Sequence, residues 1–166
     1  MAYDPYRSTD FSLTIPQRID AYLRCLAYAD DYEGFETHPL QQVQFLSHST
    51  QLKQLIYLLV VPSSLCNKDS NLHGGAASTL LDNLSSTSLF TIAKPGFWDN
   101  MGVSRSLYIV YHRAIPQGSR VNVVCTVAAV GRKMATVRAE LRRVEDGALC
   151  ASCVHEKFSV ENNSHL

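Results

Sequence analysis

The chain has 166 residues, 46% of them hydrophobic and 18% charged, which suits one globular domain with a sizeable core. Its 15 basic and 15 acidic residues give a formal net charge of zero, so the composition argues against a nucleic-acid-binding protein. The longest apolar run, residues 55–61, is long enough for a buried strand but too short to span a bilayer. We therefore expect neither a nucleic-acid partner nor a membrane partner.

The first 40 residues predict an extension that contains one helix. Thr14 is a typical helix N-cap, and Pro16 fits the first turn that follows it. Apolar side chains then recur at helical spacing, namely Ile15, Ile19, Tyr22, Leu23 and Leu26. Residues 34–39 are predicted to be a linker. Two strand candidates come next, at 41–47 and 52–61, with a short polar turn between them.

A long helix is predicted to begin at residue 73 and to run for about five turns. Small and apolar residues form a narrow stripe along it, comprising Ala77, Leu80, Leu81, Leu84 and Ser88. Four strand candidates follow, joined by short turns, at 103–112, 121–130, 135–142 and 149–160. Successive strands with short turns imply an antiparallel meander. The order predicts an α+β fold in which one antiparallel sheet wraps the long central helix.

Two polar side chains on this helix cannot meet within one chain. His73 and Asp82 are nine residues apart, which is about 900° of helix rotation, half a turn out of phase, and about 13.5 Å of rise. Either they are unrelated, or each faces a site that a second copy completes. Asp82 lies about 140° around the helix from Ala77, off the apolar stripe. A two-fold dimer that packs its helices together brings Asp82 of one copy towards His73 of the other.

Two glycines mark the start of the same helix. The N–H groups of Gly74 and Gly75 lie where backbone donors are unpaired and where the helix dipole is positive. Such a position suits the oxyanion that forms when a thioester carbonyl is attacked. A carboxylate opposite it can act as a general base towards water or as a nucleophile. The pattern therefore indicates acyl transfer to water.

Several separated motifs agree in order and spacing with a known family. They are Asn67, His73-Gly74-Gly75, Asp82, Gly102-Val103-Ser104, Tyr111-His112-Arg113-Ala114 and Gly131-Arg132-Lys133. This set resembles the PaaI-like group of hotdog-fold acyl-CoA thioesterases over roughly residues 41–160. The resemblance implies a hotdog domain at 41–160, preceded by the extension at 1–40 and followed by a tail at 161–166. It also implies a homodimer that pairs its sheets edge to edge, with tetramers common.

The resemblance assigns a role to each matching residue. Asp82 is implied to be the catalytic carboxylate, as general base or nucleophile. Asn67 and the backbone N–H of Gly74 are implied to hold the thioester carbonyl or the water. His73 is implied to position the thioester or its leaving sulfur, and Ser104 to orient the water or Asp82.

Coenzyme A carries phosphates, so a substrate of this kind requires cations at the mouth of the site. Arg132 and Lys133 at a predicted turn are the first candidates, with Arg105 and Lys157 behind them and Gly75 as a backbone contact. Hydrolysis by water requires no metal, and no metal-ligand spacing is visible. We therefore expect no cofactor, apart from coenzyme A as part of the substrate.

The sequence leaves three functions open. The first is hydrolysis of an acyl-CoA, and the second is hydrolysis of a polyketide or fatty acyl group on a carrier protein. The third is a non-catalytic module that binds acyl-CoA. The final residues Ser164-His165-Leu166 resemble the Ser-Lys-Leu peroxisomal address, so we expect a peroxisomal location, or otherwise a cytoplasmic one.

Overall fold

The computed structural model describes residues 8–160. Its helices are α1 (Ile15–Ala27), α2 (Thr37–Gln41) and α3 (Gly74–Thr87), and α3 continues into a 3-10 turn at Ser88–Thr91. Its strands are β1 (Val43–Ser49), β2 (Gln54–Val60), β3 (Val103–Tyr111), β4 (Arg120–Val130), β5 (Met134–Arg143) and β6 (Leu149–Phe158). Within these residues no helix is both long and apolar enough to cross a membrane.

All six strands form one antiparallel sheet in the order β1-β2-β4-β5-β6-β3. Helix α3 packs against four of these strands, β3, β4, β5 and β6. The predicted stripe on α3 supplies this contact, and each of its members is at most 2% exposed: Ala77, Leu80, Leu81, Leu84 and Ser88. Burial of each leucine contributes about 2 kcal/mol. The predicted α+β hotdog fold is thereby confirmed.

The predicted meander of four strands is wrong in one respect. Only β4, β5 and β6 follow one another in the sheet, whereas β3 crosses to the far edge and pairs with β6. The place beside β4 is taken by β2, because the loop before β4 bonds to the end of β2. Val61 N–H donates to the Ser119 carbonyl at 3.0 Å, and Gly118 N–H donates to the Val61 carbonyl at 2.8 Å. Strand β3 is therefore an edge of the sheet.

The predicted linker at 34–39 is also partly wrong, because its second half begins α2. Thr37 fixes this turn: its hydroxyl accepts from Gly34 N–H at 2.9 Å and donates to the Leu26 carbonyl at 2.8 Å. Leu40 is 1% exposed and anchors the short helix in the core. A helix of five residues carries too few periodic positions for the sequence pattern to reveal it.

The extension packs into the same hydrophobic core as the sheet. On α1, Ile19, Tyr22 and Leu26 are buried, as the helical spacing predicts. The boundary between the extension at 1–40 and the domain at 41–160 stays a prediction, since α1 and the sheet share one hydrophobic core. The tail at 161–166, including the proposed address at Ser164–Leu166, lies outside the described residues.

Candidate active site

Within the described residues, the start of α3 presents the Gly74 N–H as a free backbone donor. His73 is the N-cap, and its Nδ1 accepts from Gly75 N–H at 2.9 Å. The Gly75 N–H is therefore occupied, which differs from its predicted contact with substrate. Among residues 8–160, the Gly74 N–H has no acceptor, while its carbonyl accepts from the Tyr111 hydroxyl at 2.9 Å. Because Nδ1 of His73 accepts, a neutral ring carries its proton on Nε2, and the residue is exposed.

Asn67 presents its amide nitrogen in the same region. Its side-chain oxygen is used within its own turn, since it accepts from Asp69 N–H at 3.0 Å and from Asn71 N–H at 3.1 Å. Nδ2 has no acceptor in the part of the chain that the structure describes. Asn67 and Gly74 both line a hollow of about 330 Å³, here called the N-terminal hollow, together with Ala77 and Tyr111. It combines two N–H donors without a carboxylate.

Asp82 stands in a second hollow. Its Oδ1 accepts a hydrogen bond from the Ser104 hydroxyl at 2.8 Å. The structure thus brings together two of the residues predicted for the site. The carboxylate side chain is 43% exposed and thus reachable by water. This hollow of about 370 Å³ is here called the Asp82 hollow, and it is also lined by Asn83, Ser86 and Lys157.

Lys157 is not on the surface. It is 3% exposed, and its Nζ donates to Ser86 Oγ at 2.8 Å and to Ser104 Oγ at 3.5 Å. Burial lowers the pKa of Lys157 to about 8, although the nearby Asp82 carboxylate opposes this shift. The structure therefore places Lys157 next to the carboxylate of Asp82. Its charge alone had predicted a contact with the phosphates of coenzyme A.

His155 is a neighbour of Asp82 that the sequence pattern did not predict. It is fully buried, and its Nε2 lies 3.4 Å from Asp82 Oδ1, while its Nδ1 is 2.6 Å from Ser85 Oγ. Burial lowers the pKa of His155 to about 4, with Lys157 as a second cause, so the ring is neutral at pH 7. The available signal was the period of two on β6, which places His155 and Lys157 on the same face.

The extension also reaches this hollow. Tyr22 on α1 is 1% exposed, and its hydroxyl donates to Asn83 Oδ1 at 3.0 Å, next to Asp82 in the chain. Tyr22 lines the Asp82 hollow. Helical spacing placed Tyr22 in the core, but gave no signal that its hydroxyl end reaches a polar site.

The remaining predicted cations are exposed at the same end of the sheet. Arg132 and Lys133 lie in the turn between β4 and β5, and Arg105 follows Ser104 on β3. Ser159 N–H donates to the Lys133 carbonyl at 2.9 Å. Val160 lines both the Asp82 hollow and the hollow beside these two turn cations. Arg132 and Lys133 thus line a hollow that adjoins the Asp82 hollow at Val160 and that also contains Asp99.

The two hollows are separate within one chain. Gly74 and Asp82 are eight residues apart on α3, which is about 12 Å along its axis. One hollow holds donors for a developing oxyanion, and the other holds a carboxylate that can accept a proton. Neither hollow alone contains both parts of a hydrolytic site.

Comparison with known proteins concerns the family and the fold. A family model described as the thioesterase superfamily matches residues 69–150, which include α3, β3, β4 and β5. The crystal structure of zebrafish thioesterase superfamily member 2 superposes with a TM-score of 0.75 and 27% identity, covering 88% of this chain and 98% of that one. A Streptococcus mutans protein bound to acetyl-CoA shares the fold, with a TM-score of 0.63, 19% identity, and coverage of 80% of this chain and 96% of that one.

One curated relative, from Deinococcus radiodurans and named "Putative esterase", is 33% identical over 81 residues. The match covers 49% of this chain and 53% of the relative, so the chain spans about half the length of the curated relatives it matches. The family model and the shared fold together indicate the class of protein, a hotdog-fold thioesterase. The chain matches the thioesterase superfamily over residues 69–150 and has the hotdog fold.

Proposed function

We propose that the chain hydrolyses an acyl-CoA thioester to a free acid and coenzyme A, at a site shared by two copies. The observation that carries this proposal is the division of the site between the two hollows of α3. The Asp82 hollow holds the carboxylate and Ser104, whereas the N-terminal hollow holds the N–H donors of Gly74 and Asn67. A two-fold dimer that places one against the other completes two identical sites.

The proposed reaction begins at the carboxylate. Ser104 occupies Oδ1 of Asp82, which leaves Oδ2 to accept a proton from water. The water oxygen then forms a bond to the thioester carbon, and the carbonyl electrons move to its oxygen. Gly74 N–H and Asn67 Nδ2 of the second copy stabilise that oxyanion. Collapse re-forms the carbonyl, breaks the carbon–sulfur bond and releases the thiolate, which takes the proton held by Asp82.

The leaving sulfur is the group that His73 suits best. With its Nδ1 committed to Gly75, the ring offers Nε2–H as a donor towards solvent. A hydrogen bond to the developing thiolate lowers the barrier to its departure. His73 belongs to the same end of α3 as Gly74, so it also acts on a substrate attacked by Asp82 of the second copy.

The free edge of the sheet at β3 supports the proposed dimer. Strand β3 has nine residues and pairs with only one strand, β6, within the described chain. It exposes Tyr108 by 69% and Val103 by 49%, and it carries Ser104 of the proposed site. An unpaired edge with exposed apolar side chains favours association with a second copy.

Coenzyme A is proposed as the carrier of the acyl group. The exposed cations Arg105, Arg132 and Lys133 lie at the end of the sheet that bears Ser104, where they can bind the phosphates. The acetyl-CoA-bound fold relative supports the same choice. An acyl group on a carrier protein presents only one phosphate, so it uses fewer of these charges.

Thiol release from a panel of acyl-CoA substrates tests the proposal, with the same acyl groups on a carrier protein in parallel. We expect turnover of acyl-CoA by the wild-type chain. We expect Asp82→Asn to lose roughly a thousand-fold in kcat while keeping its fold, since the amide cannot accept the proton. If only the carrier-bound acyl groups are hydrolysed, the acyl donor is a carrier protein and not coenzyme A. If acyl-CoA binds tightly without release of thiol, the chain is a binding module.

A further inference from the structure

Lys157 is a buried ammonium that the proposed reaction does not use. It lies on β6 at 3% exposure, on the same strand face as His155. Removing an ammonium group from water costs several kcal/mol, and an apolar side chain of similar size fills such a position without this cost. The group therefore requires an explanation, and its contacts offer one.

The hydrogen bonds of Lys157 have a fixed direction. An ammonium group can only donate, so Ser86 and Ser104 both accept from Nζ. Each serine has a single O–H, and each directs it at Asp82. Ser104 donates to the carboxylate Oδ1 at 2.8 Å, and Ser86 donates to the main-chain carbonyl of Asp82 at 2.8 Å.

Both arms of this network therefore end on one residue. A serine hydroxyl without a donor beside it rotates freely and can turn its O–H towards water. With Nζ of Lys157 on its oxygen, Ser104 is biased to keep its proton on Asp82 Oδ1. The carboxylate is then held in one rotamer, with Oδ2 left for the water. The contact through Ser86 fixes the turn of α3 that carries Asp82.

We propose that Lys157 is a positioning residue for hydrolysis, which acts through Ser104 and Ser86 to hold the Asp82 carboxylate in the orientation that activates water. This inference rests on the proposed function and adds a residue to it. Lys157 touches neither the substrate carbonyl nor the water in this arrangement, so its effect falls on kcat and not on substrate binding.

The charge of Lys157 gives the proposal a signature in pH. The titratable groups that face it are Asp82 on α3 and His155 on β6, and Tyr22 on α1 lines the same hollow. Burial lowers the pKa of Lys157 to about 8, and His155 is neutral well above its own pKa of about 4. An ammonium that holds Ser104 is present below pH 8 and is lost as the pH rises through about 8. We therefore expect kcat to fall on that high-pH limb.

Two substitutions test the proposal in the full-length chain with an acyl-CoA that the wild type hydrolyses. Lys157→Met removes the donor, so we expect kcat to fall roughly 10- to 100-fold with KM within about three-fold, and the limb near pH 8 to disappear. Lys157→Arg keeps a permanent donor, so we expect it to retain more activity and to move the limb well above pH 8. Lys53→Met, at an exposed turn between β1 and β2, is the matched control and should keep the wild-type profile.

A double-mutant cycle separates positioning from a general structural role. If Lys157 acts through Ser104, then Lys157→Met has a much smaller effect on kcat in the Ser104→Ala background than in the wild type. If the effects of Lys157→Met and Ser104→Ala on kcat are fully additive, the proposal is contradicted. It is also contradicted if kcat of Lys157→Arg still falls near pH 8, as in the wild type. If Lys157→Met does not fold, the Lys157→Arg profile decides alone. A wild-type chain that releases no thiol refutes the proposed function instead.

Discussion

The two ends of α3 are built in different ways. At its start, the donors come from a short stretch of chain, because Asn67, His73 and Gly74 are near neighbours in sequence and are fixed by local turns and a helix cap. Eight residues later, Asp82 depends on side chains about 20 to 75 residues away, at Ser104, His155 and Lys157. Local chain geometry is sufficient to present backbone N–H groups, whereas placing a carboxylate among buried basic groups requires the whole sheet.

The difference also separates two kinds of chemistry. In the proposed reaction, the start of α3 stabilises the negative charge of the oxyanion with backbone and amide dipoles that carry no net charge. In the same proposed reaction, the Asp82 end accepts a proton, and the titratable groups His155 and Lys157 are buried beside the partly exposed carboxylate. We therefore expect pH to act on the reaction mainly through the Asp82 end.

The largest expected change in activity comes from substituting the two ends of α3 in different copies of the proposed dimer. Asp82→Asn disables one hollow and Asn67→Ala the other, and each variant alone should lose roughly a hundred- to a thousand-fold in kcat. When the two variants are unfolded together and refolded as a mixture, half of the dimers contain one of each. In such a mixed dimer, one site carries both substitutions and the other carries neither.

Activity of the mixture should therefore rise to about one quarter of the wild-type value per site, if copies exchange at random. The measurement is thiol release after co-refolding, compared with the two variants refolded separately. A mixture that stays as inactive as its components places Asp82 and Asn67 in the same chain's site, which contradicts the shared arrangement.

The same comparison explains how much the sequence could predict. The apolar stripe on α3 and the alternation of the strands predicted an antiparallel sheet around a central helix, because both periods report which face is buried. The resemblance of the motifs to a known family then implied the hotdog fold. The start of α3 was readable because a cap, two glycines and a turn are local signals. His155 escaped because a histidine on a buried strand face gives no indication of the side chain it meets across the core.

Lys157 was misplaced for a related reason. Its charge alone suggested solvent and phosphate, and only the register of β6 against β3, in which Ser104 lies opposite Lys157, brings its Nζ to the hydroxyl. The pairing of β3 with β6 was itself not predicted, because the chain order favours neighbours and β3 crosses the sheet. Errors in strand order thus become errors in the site.

A smaller effect is expected from removing a single backbone donor at the start of α3. Gly74→Pro deletes the N–H group and adds the pyrrolidine ring. Position N1 of a helix tolerates proline, and the preceding His73 has the extended backbone, φ −64° and ψ 135°, that proline requires. We expect kcat to fall roughly 100-fold with the helix intact.

Gly74→Ala is the matched control for that variant, because it keeps the N–H and adds a Cβ. The added atom meets the Tyr111 ring at 3.5 Å, which is ordinary van der Waals contact. We expect most of the activity to remain, with circular dichroism confirming the fold of both variants. Equal activity in Gly74→Pro and Gly74→Ala removes the Gly74 N–H from the oxyanion site.

The smallest expected effect concerns the stability of the Asp82 end in acid. Burial lowers the pKa of His155 to about 4, against an ordinary value of 6.5, so between these values the unfolded chain binds more protons than the folded chain. Stability conferred by the neutral ring is therefore present above pH 6.5 and is lost as the pH falls towards 4. The loss amounts to about 2 kcal/mol between pH 7 and pH 4.5.

Urea unfolding at these two pH values measures the loss of stability in the wild type and in His155→Gln. His48→Gln, at an exposed position on β1, is the control. His155→Gln should lose less stability in acid than the wild type, because glutamine does not titrate, whereas His48→Gln should follow the wild type. Parallel losses in all three chains mean that the buried imidazole is not the acid-sensitive group, and that the contrast between the two ends of α3 does not extend to their response to protons.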